Sequence, residues 1–430
     1  MEYTVLSPWA KSNHLEKFPI SPRLESLKGK TIGLYASFKE YHPFFMRELE
    51  RQLGERLPDT IFSHYTYIVD TCEIANDKEN LPSFKKWLDS VDAVVGVGAD
   101  MGSCALYMGY NFAYIESQGV PAVLLSKHQY LSSASKGAAA RSYPGLRIVT
   151  YDGPGFVPNG VDCNEWTVST YRGTIANMLD KIIDALTKPL TEEEKNPKPP
   201  KDWSDFKFTG TLDEINSFFY ERGWTNGSPI VPPTEEAVEE MLRGTDLPGD
   251  YVVAELPPMM GRATVEKIAV NGIMAGCLPT YMPLLIAAVE GMADDIIKLE
   301  GWTCSNAGWA PTVVISGPIR KDIGINTGRN LLSPYTRPSA CIAKAIAYMI
   351  MNISGVRSQT EDMSGPGSDC RFGICIAENE EESPWEPLQT DFGFGKEDSC
   401  VTLFWPSEHT QLQTVSVSAT LGSCCKLWHG

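Results

Sequence analysis

The sequence predicts an α/β protein of two units: an N-terminal doubly wound parallel sheet and a C-terminal α/β or α+β unit. Three observations predict it. Short, nearly all-apolar runs of strand length recur between residues 30 and 150, as expected for strands covered on both faces. Segments of helical periodicity separate them. A polar, proline-rich stretch at 187–207 then interrupts the alternation and has the composition of a stiffened linker. The expected division is an arm (1–29), the doubly wound unit (30–186), the linker (187–207), a second unit (208–405) and a tail (406–430).

Lys30–Ala36 reads as a buried strand. His42–Arg56 reads as a helix with Pro43 in its first turn, where the missing N–H costs nothing. Ile61–Val69 and Leu81–Leu88 follow as strand and helix. Val91–Val97 is the third strand, and Cys104–Gln118 is the next helix, stopped by Gly119. Val120–Leu125 and Leu146–Val149 are further strands, and Thr170–Leu186 closes the unit as a helix. The arm, with Pro8, Pro19 and Pro22, reads as irregular. Beyond the linker, Thr211–Arg222 and Thr234–Leu242 are helices with capping-type starts. Two apolar helices, Val265–Ala275 and Thr280–Met292, are divided at Gly276 and Pro279. Pro311–Ser316 is a strand, Ser339–Asn352 an apolar helix, and Phe372–Ala377 and Val401–Trp405 later strands whose order the sequence does not reveal.

Of 430 residues, 43% are hydrophobic and 21% charged, which excludes a disordered, collagenous or coiled-coil chain. Asp plus Glu number 54 against 37 Lys plus Arg, a net charge of −17 that repels phosphate backbones and anionic lipid. Nucleic acid and membrane are therefore not expected as partners. No apolar run reaches the ~18–20 residues of a membrane helix. Met1-Glu2-Tyr3-Thr4 lacks a signal-peptide layout, so the chain reads as cytosolic. Its 11 cysteines are scattered and odd in number, as for thiols rather than a disulfide framework. None forms Cys-x-x-Cys, and the 6 histidines show no zinc-ligand spacing, so no structural metal is expected.

The sharpest motif is Gly96-Val97-Gly98-Ala99-Asp100-Met101-Gly102-Ser103-Cys104, where an apolar strand ends and a helix begins. Ligands of open α/β sheets bind outside the carboxyl ends of the strands. Glycines let the backbone approach a ligand, and a helix N-terminus presents N–H groups and partial positive charge, which also favours a thiolate in its first turn. This geometry proposes Cys104 as nucleophile, with Gly98, Asp100, Gly102 and Ser103 around the substrate and backbone N–H groups as oxyanion donors. A dinucleotide fingerprint is disfavoured. The glycines follow the third strand rather than the first, and their spacing is one residue too long.

The run Asp92–Cys104, followed by Ile115-Glu116-Ser117-Gln118-Gly119-Val120-Pro121, resembles the UGSC family of (seleno)proteins, named for selenocysteine-Gly-Ser-Cys after a buried strand. In that comparison Met101 stands at the selenocysteine position, and Gly102, Ser103 and Cys104 are kept. Ser228–Thr234, Val270–Cys277, Gly317–Arg320 with Gly324–Asn326, and Ala377–Pro387 resemble the C-terminal part of long family members. The resemblance implies a site here without naming a reaction. A thioether forms neither a nucleophilic anion nor a disulfide, so dithiol exchange within the motif is excluded.

A partner for Cys104 is then sought elsewhere. Cys277 reads as lying near the start of the second apolar helix, facing its positive end. Asn271 is a buried amide in need of partners, either a ligand or backbone carbonyls. Glu378, in the acidic run after a strand, is the expected general acid or base. Arg320 and Asn326 are the expected clamps for a substrate carboxylate. His42, His64 and His128 show no spacing that marks a Cys–His pair. The expected function is a cysteine-dependent lyase or hydrolase that acts on a small polar substrate through a covalent S-adduct at the interface of the units. Two rivals are a thiol/disulfide oxidoreductase using Cys104 with Cys277, and a non-catalytic anion-binding protein. No feature demands an organic cofactor. A small-molecule substrate is the expected partner, and a homo-oligomer is left open.

Overall fold

The computed structural model describes residues 1–407 apart from 13–15, 70–71, 369–370 and 372, so the expected tail lies almost wholly outside the described residues. The first unit runs β1 (Glu2–Leu6), β2 (Thr31–Ala36), α1 (His42–Arg56), β3 (Ile61–Thr66), α2 (Leu81–Leu88), β4 (Ala93–Ala99), α3 (Gly102–Ser117), β5 (Ala122–Lys127), α4 (Leu131–Ala140), β6 (Arg147–Tyr151) and α5 (Cys163–Thr187). Strands β2 to β6 form one parallel sheet in the order β3-β2-β4-β5-β6. The chain steps from β2 outward to β3 and then returns across to β4. The carboxyl ends of β2 and β4 therefore flank the point where the winding reverses, which is where such sheets bind ligands.

Every residue of β4 is buried, because helices cover both faces of the sheet. Leu49, Tyr171 and Ile175 of α1 and α5 pack on one face. Trp87, Ala105, Phe112 and Ala134 of α2, α3 and α4 pack on the other. Helix α1 has the expected bounds, and α3 and α5 are longer than expected. Helix α5 begins at Cys163 because the Asp162 carboxylate accepts from the Glu165 N–H and caps it. Helix α4, built of Ala, Ser and Gly, carries too little apolar periodicity to be read from sequence.

The linker holds a single turn of helix, α6 (Glu192–Lys195), closed by a capping box between Thr191 and Glu194. The second unit runs β7 (Lys207–Thr211), α7 (Leu212–Glu221), α8 (Glu235–Leu242), β8 (Val252–Leu256), β9 (Gly261–Thr264), α9 (Val265–Ala275), α10 (Met282–Met292), α11 (Leu299–Thr303), β10 (Thr312–Ser316), α12 (Ile319–Asp322), α13 (Arg337–Met349), β11 (Ile374–Ala377), α14 (Leu388–Asp391) and β12 (Cys400–Phe404). Its core joins α9, α10 and α13 to a mixed sheet ordered β11-β10-β12, with β11 parallel and β12 antiparallel to β10. The antiparallel pair β8–β9 was not anticipated.

The arm departs from the sequence expectation. Its first residues are strand β1, paired antiparallel with β7 of the second unit. Further along, Arg23 donates to the Glu116 carboxylate at 2.8 Å in a buried pair on α3 of the first unit. The arm thus ties the two units together, through pairings between residues far apart in sequence. No helix of the described residues is long and apolar enough to cross a membrane.

Candidate functional site

Strand β4 loses register with β5 between Val97 and Ala99, a bulge centred on Gly98. A Cβ on Gly98 would lie 2.8 Å from both Ser37 Oγ and Met108 Sδ, so only glycine lets the end of β2 approach here. Ser37 follows β2 and is held by its N–H on the Val97 carbonyl. Five residues on, His42 is the first residue of α1. Ser37 Oγ and His42 Nδ1 are 2.8 Å apart, and His42 Nε2 is 3.2 Å from Asp100 Oδ2. The same carboxylate oxygen accepts from Tyr41 OH at 2.5 Å and Lys39 Nζ at 2.9 Å, while Asp100 Oδ1 has no partner among the described residues.

The charge states follow from these contacts. Burial works against ionising Asp100, but the bonds from His42, Lys39 and Tyr41 outweigh it and hold the carboxyl far below its usual range. Burial pushes the fully buried His42 down, against the pull of Asp100. An ionised Asp100 requires the proton of neutral His42 on Nε2. Nδ1 therefore accepts, and the Ser37 hydroxyl donates to it. Lys127, at the end of β5, is pushed down by burial beside the same carboxylate.

Cys104 is the third residue of α3 and is 6% exposed. It lines a cavity of about 20 Å³ together with Ser37, Gly98, Cys72, Tyr67 and Asn111. That volume holds about one water molecule. Met101, the N-cap of α3, supplies no side-chain cap. The cap comes from the second unit: Asn306 Oδ1 accepts from the Gly102 N–H at 2.8 Å, and its amide donates to Tyr130 OH at 2.7 Å. A Cβ on Gly102 would meet the Cys304 carbonyl oxygen at 2.2 Å, so the units touch closely at this helix end. Ser103 is buried in the same turn. The expected oxyanion donor Gly102 is thus engaged by a side chain of the other unit.

The candidates expected from the second unit lie elsewhere. Cys277 is not at a helix N-terminus. Its N–H bonds the Gly272 carbonyl and wraps the C-terminal end of α9 after the left-handed Gly276. Burial, with Cys341 and Cys375 nearby, pushes its thiol well up. No group of three His, Cys, Asp or Glu among the described residues is arranged to hold a metal ion. Asn271 donates to the Pro8 and Lys267 carbonyls and accepts from Asn352, which fastens the arm to α9. The Glu378 carboxylate accepts from the Leu388 N–H at 3.0 and 3.1 Å and so caps α14. Arg320 spends its donors on the Gly317 and Glu378 carbonyls and on Glu380 and Glu381, leaving none for a substrate. Asn326 forms a local turn with Gly328 and Arg329.

Sequence reasoning missed Ser37, Lys39 and Tyr41, and it set His42 aside for want of a Cys–His spacing. The available signal was position, a serine at a strand end and a histidine opening the next helix. The unreadable part was the sheet order that sets β2 beside β4. Residues 4–188 match the model of the UGSC family. A search of the curated proteins gives no match.

Proposed function

We propose, starting from the match of residues 4–188 to the UGSC family model, that this chain is a cysteine-dependent enzyme forming a transient S-adduct with a small polar substrate. The observation that carries this is the shared cavity: Cys104 faces the same small space as Ser37, whose hydroxyl is bonded to a neutral histidine backed by a carboxylate. Ser37 donates to His42, which leaves its lone pairs open to the Cys104 thiol, directly or through one water. As the thiol proton passes to Ser37, the Ser37 proton passes to His42 Nδ1. The resulting imidazolium is stabilised by Asp100. The thiolate attacks a substrate carbon and the S–C bond forms. The departing heteroatom takes back the proton along the same chain. Water then cleaves an S-acyl adduct, as in a hydrolase, or elimination returns the thiol, as in a lyase. The general base assigned here is His42 in place of Glu378.

The test is iodoacetamide labelling of the reduced, folded protein across pH 5–9, read site by site by mass spectrometry. Cys104 is expected to label about ten-fold faster than Cys277 and Cys375, and His42→Asn to slow it by a similar factor at neutral pH. A Cys104 that labels only after unfolding sinks the proposal. A fluorophosphonate that modifies Ser37 moves the nucleophile to the serine.

A second reading is favoured by one observation: Cys72 lines the same cavity, whereas Cys277 sits in the other core. Thiol/disulfide exchange would then pair Cys104 with Cys72. The two thiols would give two electrons and two protons to an external disulfide such as oxidised glutathione. Peptide mapping after that treatment decides it by the presence or absence of a Cys72–Cys104 bond.

A further inference from the structure

A second cavity, of about 370 Å³, opens where the arm, α4, the end of the linker and two loops of the second unit meet. Its volume lies in the range that small-molecule sites occupy. Trp9, Trp203, Pro258 and Met259 give it apolar walls. Its charged residues are five cations, Lys17, Lys136, Lys198, Lys201 and Arg357, against two acids, Asp202 and Glu361. In a chain of net charge −17 that local excess runs against the average of the surface.

Arg357 is the residue that calls for a ligand. Its Nη1 donates to the Met351 and Val356 carbonyls, and its guanidinium lies 4.9 Å from the centroid of the Trp9 ring. Its Nη2 is buried and has no partner among the described residues. The nearby carboxylate does not supply one. Glu361 is engaged by the Arg357 backbone N–H at 3.1 Å, by the Thr360 hydroxyl at 2.6 Å and by Lys136 at 3.6 Å. Burial accordingly lowers the Arg357 guanidinium against the pull of Glu361. A guanidinium N–H that has no acceptor and is kept from water is costly, and a carboxylate is its natural complement.

The geometry points to a binding site in this cavity for a small monocarboxylate with an apolar body, its carboxylate against Arg357 and its body along Trp9, Pro258 and Met259. Lys136 and Lys201 steer the anion at the rim. The site stands apart from Cys104, and binding is read without turnover, so it does not depend on the catalytic reading.

Octanoate and 1-octanol share a chain and differ in charge, which makes them the probes. Calorimetric titration of the full chain is expected to show octanoate binding about ten-fold or more tighter than 1-octanol, with a change in tryptophan emission. Arg357→Gln is expected to remove that preference while 1-octanol binding persists. Equal affinities for the two probes, or an unchanged octanoate affinity in Arg357→Gln, overturn the site. Should that variant not fold, the exposed pair Lys136→Gln/Lys201→Gln is expected to weaken octanoate about three-fold or more. An unchanged affinity there overturns it equally.

Discussion

A neutral histidine held between a hydroxyl and a carboxylate gives the protein a pH dependence that belongs to one residue. Burial sets the folded pKa of His42 below its unfolded value of about 6.5. In that window the unfolded chain binds a proton that the folded chain does not, so stability rises with pH through it and levels off above about 6.5. Asp100 acts lower: its folded pKa is depressed, so its contribution is present above about 4 and lost as pH falls further. The urea midpoint is therefore expected to drop between pH 7 and pH 5 in the natural protein. His42→Asn is expected to flatten that drop while costing about 1–3 kcal/mol at pH 7 through the disturbed buried network. Identical slopes in the two proteins would count against His42 as the titrating group.

At the scale of elements, the linker is a bound segment although its composition suggests a spacer. Arg147, on β6, donates to the Glu194 carboxylate and to the Ala185, Lys188 and Pro189 carbonyls, fastening α6 against the sheet edge. The Arg147 hydrogen bond pulls Glu194 down to about 2 despite partial burial. That grip is present above about pH 4.3 and fades as pH falls toward 2. Arg147→Gln is expected to cost about 1–3 kcal/mol and to expose Lys195 to faster trypsin cleavage at neutral pH. Unchanged cleavage rates would show that other contacts hold the segment. Capping residues account for what was legible here: Thr211, Thr234 and Thr264 each accept from an N–H of the helix they open, so α7, α8 and α9 begin where the sequence placed them. Helix α4 escaped because its residues are mostly small or polar, and the β8–β9 hairpin because its strands are short and only partly buried, with no clean alternation of apolar residues.

At the scale of the molecule, the two units meet at the N-terminus of α3, and Gly102 is a point of close approach. A methyl group there would press on the backbone carbonyl of Cys304, which has no rotamer to retreat into. Gly102→Ala is expected to destabilise the protein by about 1–3 kcal/mol and to broaden its thermal transition as the units lose their contact. Gly173→Ala, in the open middle of α5, is the control and is expected to be neutral or stabilising by up to about 1 kcal/mol. Equal effects of the two substitutions would remove Gly102 from the interface.

The sequence by itself determined the doubly wound unit, its strands and most of its helices, because periodicity, glycine stops and caps act within a few residues. It also singled out the Gly98–Cys104 turn, where a strand end, glycines and a helix start are adjacent in the chain. Tertiary structure alone decided what surrounds Cys104. Ser37 and His42 reach it only because β2 lies beside β4, and Asn306 reaches α3 only because the second unit docks there. It also gave Glu378, Arg320 and Asn271 partners in their own surroundings and put Cys277 in the core of the second unit. Local patterns record the backbone's preferences, whereas a site is made of contacts between residues up to two hundred positions apart, and those form only when the sheet order and the docking of the units are complete.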